Sequence, residues 1–72
     1  MKAPWLEHPE LPAGSMGWRM GYGEGYKMEF AKWLATLEGA ACTTFMRDNP
    51  EPPGWEGFYD GWLSWGRTQT AD

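Results

Sequence analysis

The chain has one cysteine, Cys42, and one histidine, His8. An internal disulfide is excluded, and a structural zinc site, built from four Cys or His ligands, finds no set to draw on. Cations are scarce too: six Lys and Arg stand against ten Asp and Glu, for a net charge of −4. That balance argues against a sequence-independent grip on nucleic acid, which rests on basic phosphate contacts. No uncharged apolar run approaches the ~20 residues needed to span a bilayer, so no membrane partner is expected. Met1-Lys2-Ala3-Pro4 leads into Trp5, Leu6 and Glu7 without the apolar core of a secretory signal. With a single free thiol, these absences point to a cytoplasmic protein.

Length is the next shortage. A chain of 72 residues is one domain, and at that size only about 60% of the unfolded surface is buried. With neither disulfide nor metal to help, oligomerisation or docking on a partner remains. What the chain has in quantity is aromatic surface: six Trp, three Tyr and three Phe. Such rings bury about 150–250 Å² each and dominate interfaces.

The richest stretch runs from Gly54 to Gly66, with three of the six tryptophans and four of the ten glycines. Trp55, Phe58, Tyr59, Trp62 and Trp65 follow the three-and-four spacing of one helix face. Gly57 and Gly61, four apart, form a flat row beside them. An earlier stretch has the same character. Trp18, Tyr22, Tyr26, Phe30 and Leu34 recur every fourth residue, with Gly17, Gly21 and Gly25 alongside. Five glycines between positions 14 and 25 oppose a free helix there, at ~1 kcal/mol each relative to Ala. Met28 to Leu37 carries better helix formers.

Punctuation divides the chain. Pro4, Pro9 and Pro12 predict an extended arm over 1–13, either a poorly ordered terminus or one whose Trp5 and Leu11 tuck against the helices or a neighbouring subunit. Ser15 is a candidate N-cap for a long helix over roughly 15–46, with Gly39 as a candidate C-cap or interruption. Asp48-Asn49-Pro50-Glu51-Pro52-Pro53 is the clearest break. Pro53 suits the first position of a second helix ending near Arg67, and 68–72 reads as a polar tail. The expected fold is all-α: a helical hairpin over 14–67 made of a long helix, a proline-rich turn and a short helix. One hairpin seam does not cover twelve rings, so completion by dimerisation is expected. Gly17, Gly21, Gly25, Gly57 and Gly61 are the expected helix-contact positions.

Two short elements resemble a known family. Gly21-Tyr22-Gly23-Glu24-Gly25 is similar to the Gly-Tyr-x-x-Gly element of ribosome modulation factor and its small relatives. Phe58-Tyr59-Asp60-Gly61-Trp62 is similar to their second-helix element, an aromatic, two residues, then Gly-Trp. The resemblance implies a short helical hairpin that associates with ribosomes. The chain departs from the family where Cys42 is followed by Thr43 in place of Pro-Tyr, in a longer central segment, and in its acidic charge.

Catalytic chemistry finds little footing. Cys42 lacks a nearby base, since His8 sits in the proline arm. Glu56 and Asp60 share a helix face, where a solvated polar surface is the ordinary role. The glycines at 21–25 follow no apolar strand and lack the lysine of a phosphate loop. No enzyme activity, metal or cofactor is expected. The expected function is that of a small modulator or inhibitor that docks an aromatic and glycine helix face on a larger protein. Trp55, Phe58, Trp62 and Trp65 are the leading contact residues, with Trp18 and Tyr22 in support. Phage proteins that redirect or disarm host systems share this size and composition. The alternative is a ribosome- or RNA-associated factor, with salt-sensitive binding through the few cations: Arg19, Lys27, Lys32, Arg47 and Arg67.

Overall fold

The computed structural model describes residues 1–70. Among them the chain is all-helical, with α1 (Pro4–Glu7), a 3-10 turn (Met16–Trp18), α2 (Tyr22–Ala35), α3 (Gly39–Asp48) and α4 (Phe58–Thr70). A continuous helix over 15–46 would be about 48 Å long at ~1.5 Å per residue. The molecule measures only 30 × 27 × 19 Å, because that stretch is broken in two places. Gly21 takes a φ of +95°, which ends the 3-10 segment and lets α2 begin at Tyr22. The density of glycine thus shortens the helix from its N-terminal side.

The second break lies at 36–38. Thr36 and Leu37 donate their N–H groups to Trp33 and Leu34 carbonyls at 3.0 and 3.1 Å, tightening the last turn of α2. The Thr36 hydroxyl donates to the Trp33 carbonyl at 2.6 Å. Glu38 is extended, and α3 starts at Gly39. Gly39 therefore opens a helix instead of closing one.

The N-terminal segment is folded, which corrects the extended arm. Pro4 occupies the first turn of α1, where its missing N–H costs no helical bond. Ala3 is fully buried and Pro4 nearly so. The Trp5 ring sits 5.2 Å from Trp55 and 5.7 Å from both Phe58 and Tyr59. Tyr26 on α2 donates its hydroxyl to the Lys2 carbonyl at 2.6 Å. The chain thus covers with its own first residues many of the rings that a bare hairpin would leave open.

The second helix begins later than Pro53. Gly54 and Gly57 have φ of +93° and +83°, so 54–57 forms turns and α4 starts at Phe58. Glu51 satisfies the new N-terminus: its carboxylate accepts the Gly57 N–H at 3.4 Å and the Tyr59 N–H at 2.7 Å. Tyr59 donates its hydroxyl to the Asn49 carbonyl at 2.6 Å, closing the proline segment. Burial, and then the Glu51 charge, push this phenol up to about 12. Of the expected polar tail, residues 68–70 belong to α4, while 71 and 72 lie outside the described residues.

The core gathers Phe30, Ala31 and Leu34 of α2, Cys42 of α3, and Phe58, Tyr59 and Leu63 of α4, with Trp18 and Trp55 from the connections. α4 comes close to α2 at Gly66. A Cβ there would run into the Ala31 carbonyl, a backbone group that cannot turn aside. Gly23 is equally tight against the Gly17 carbonyl and the Leu11 side chain. By contrast a Cβ at Gly21, Gly25, Gly57 or Gly61 meets nothing within 4 Å. The helix-contact glycines are thus Gly23 and Gly66; of the expected set, only Gly17 is crowded, by Leu11.

These two glycine classes respond oppositely to alanine. Gly66→Ala is expected to destabilise the fold by about 1–3 kcal/mol, the usual cost of overpacking. Gly61→Ala, in open space inside α4, is expected to stabilise it by about 0.5–1 kcal/mol. Urea unfolding midpoints of the two variants check the contrast, and equal midpoints would remove the close contact from the account.

Candidate functional site

The residues singled out by sequence end in two environments. Trp18, Trp55 and Phe58 are buried, at 3%, 9% and 7% exposure. Trp62 and Trp65 on α4 stay half-buried, with their rings 5.3 Å apart. Tyr22 is exposed, but its hydroxyl donates to Glu10 at 2.9 Å. That carboxylate also lies 3.1 Å from His8 Nδ1. A backbone hydrogen bond first, then the Tyr22 bond, hold Glu10 below the usual carboxylate range. The same bond to Glu10 raises the Tyr22 phenol. His8 in turn stands edge-on to the rings of Trp18, Tyr22 and Tyr26. Tyr22 therefore belongs to a latch that holds the N-terminal segment to α2.

Trp18, Trp55 and Trp62 meet at a cleft of about 370 Å³ between the 3-10 turn, the start of α4 and the turns at 54–57, and Trp65 lies outside its lining. Trp18, Trp55, Phe58 and Trp62 contribute its aromatic lining. Trp18 and Trp55 stand edge to face at 4.9 Å. Trp18 is fixed by its indole N–H, which donates to the Leu11 carbonyl at 2.9 Å. Gly54, Gly57 and Gly61 add no side chain to the opening. The volume is at the lower end of the range for small-molecule sites, about 300–1,000 Å³.

Lys27 gives the cleft its polarity. Its ammonium lies 4.8 Å from the Trp62 ring centroid and 6.0 Å from that of Trp18. Burial lowers its pKa from the ordinary 10.5, with the Glu24 charge pulling the other way. Arg19 also lines the cleft. Among the described residues no carboxylate forms an ion pair with Lys27, whereas Lys32 pairs with Glu29 and Arg47 with Asp48. Glu56, the acid of the cleft, receives the Gly54 N–H on both oxygens at 3.1 Å. Ser15, expected as an N-cap, makes no cap bond. Its hydroxyl oxygen is buried without a hydrogen-bond partner at the cleft wall.

The remaining chemistry-bearing residues stand apart. Cys42 is buried in the core, and no hydrogen bond among the described residues joins it to His8. No group of three or more His, Cys, Asp or Glu converges as a metal site among the described residues. No helix among them is long and apolar enough to cross a membrane. No protein family, curated protein or solved structure matches the chain.

Sequence reading took Ser15 only as a cap, and weighed Arg19 and Lys27 only among the cations of the ribosome- or RNA-associated alternative. A signal for Lys27 was there to be read. Gly23, Lys27 and Ala31 occupy one row of α2 at four-residue spacing, and Gly23 and Ala31 are both buried. A lysine between two small buried residues on one row is bound to lie over whatever covers them.

The lowered pKa gives a direct check. In ¹³C NMR of the full chain, the Lys27 Cε resonance is expected to titrate with a midpoint below 10.5. Trp62 ring resonances should move in the same pH range, as the cation leaves the ring face. A Lys27 midpoint at or above the ordinary value would mean that the ammonium is fully hydrated.

Proposed function

We propose that this chain is a small helical binding protein that modulates or inhibits a larger protein by docking the Trp62–Trp65 side of α4 and the adjoining cleft on it. The observation that carries this reading is a pair of touching, half-buried tryptophans at the border of an aromatic-walled cleft. Tryptophans held in this way present large rigid surface at little entropic cost, and Trp is enriched among interface hot spots. Met16, Met20 and Tyr22, at 64%, 60% and 57% exposure, add apolar surface on the N-terminal side, and methionine adapts well to irregular partners. In the finer form of this proposal, the α2–α4 unit is the hairpin and a second copy can meet the same surface to give a homodimer.

Trp62→Ala and Trp65→Ala test it. Each is expected to weaken an identified partner complex by about 2 kcal/mol or more, the usual threshold of a hot spot. Partner recovery from lysate of the source cell, with and without nuclease, and mass by light scattering are the measurements, with circular dichroism to check the fold. Unchanged recovery together with unchanged mass would defeat the reading. A retained species that disappears with nuclease would favour a ribosome- or RNA-associated factor in its place.

A further inference from the structure

The unpaired polar groups of the cleft define the chemistry of its occupant. Two of the six cationic side chains in an acidic protein, Arg19 and Lys27, line this one opening. Lys27 has exchanged part of its water for two indole faces and has no carboxylate in an ion pair among the described residues. Of the acids nearby, Glu56 accepts the Gly54 N–H on both oxygens, and Glu24 acts on Lys27 through its charge without an ion pair among the described residues. The Ser15 hydroxyl is buried with its hydrogen-bonding capacity unused. An anion arriving here meets a cation that is already partly desolvated, so it gains more than at a fully hydrated lysine. Beside these groups the walls are indole and phenyl surface, which takes an apolar side chain.

We propose that the cleft receives an acidic segment of the protein partner, with a carboxylate set against Lys27 and Arg19 and the neighbouring apolar side chain against Trp18, Trp55 and Trp62. This rests on the docking function proposed above and adds the chemistry of the docked segment. Nucleic acid fits less well, since a net charge of −4 opposes the multiple phosphate contacts that such binding needs. The carboxylate gives specificity and orientation, while the rings supply most of the contact area.

The test uses two peptides, acetyl-Leu-Asp-Leu-Glu-Phe-amide and its Asn/Gln counterpart, titrated into the ¹⁵N-labelled full chain. The indole N–H signals of Trp18 and Trp62 are the readout. The acidic peptide is expected to give saturable shifts, and the neutral one to bind about tenfold more weakly, in keeping with loss of a charge-assisted contact. Lys27→Met, which keeps the apolar stem on Trp62, should lose a similar factor, and Lys27→Arg should keep the preference for the acid. Equal binding of the two peptides by the wild-type chain, or binding of neither, overturns the proposal without reliance on any variant. Indole-3-acetate saturating the cleft where neither peptide does also overturns it, in favour of a small-molecule anion site. An identified partner lost with Trp62→Ala but fully retained with Lys27→Met would leave the docking function standing and remove the acidic segment.

Discussion

Trp55 touches the ring of Trp5 at 5.2 Å and that of Trp18 at 4.9 Å. These contacts tie the first residues of the chain and the loop before α2 to the turn that leads into α4. No disulfide bridges the described residues, so ring packing, tilted at Trp5 and edge-to-face at Trp18, does the work of a covalent staple. Each such pair adds roughly 0.5–1.5 kcal/mol beyond its buried area. The glycines at 54 and 57 serve this contact. Their left-handed φ turns the backbone around Trp55, which directs the indole inward and shifts the start of α4 to Phe58. The cleft is a by-product of the same geometry, because the turn that buries Trp55 also holds the 3-10 segment apart from α4.

Much of the architecture could be read before the coordinates. The absence of alternation gave the all-helical class, and three prolines between 50 and 53 marked the main break. The firm part of α2, from Met28 onward, followed from its helix formers. The helical turn of the N-terminal segment was not legible, because a proline pattern forbids a regular helix yet permits a single turn with Pro4 at its start; of the two readings of the arm, the one that tucks Trp5 and Leu11 inward matches the structure. The start of α4 was hidden for a related reason. Its cap is Glu51, six residues before the first N–H that it accepts, and no local capping pattern describes such a reach. The glycine rows were visible, but their roles were mixed. Gly21, Gly54 and Gly57 are there for backbone angle, and Gly23 and Gly66 for space. Spacing alone does not separate the two.

The candidate site was half legible for a comparable reason. Aromatic periodicity pointed to Trp55, Phe58 and Trp62, and all three line the cleft. Periodicity carries no information on depth, however, so buried Trp55 and half-buried Trp62 looked alike. The polar members were harder still. Arg19, Lys27 and Ser15 come from segments that only tertiary packing brings together, and each alone is an ordinary surface residue type. Their significance comes from lacking an ion pair or side-chain hydrogen bond among the described residues, beside a cleft whose lining acid, Glu56, accepts the Gly54 N–H.

The burial of Ala3 and Pro4 together with Trp5 also bears on how the molecule is made. Trp5 precedes its ring partners at 55, 58 and 59 by about fifty positions, so it leaves a translating ribosome well before them. The core joins sequence positions some fifty apart, so in a protein of short local helices the decisive contacts are long-range ones. Before residue 59 is made, the first segment has only α2 and the 3-10 turn to pack on, through Tyr26 and Trp18. Until then Phe58, Tyr59 and Leu63 are missing from the core, and any extension placed ahead of Met1 has to leave past the Lys2 carbonyl, which Tyr26 holds.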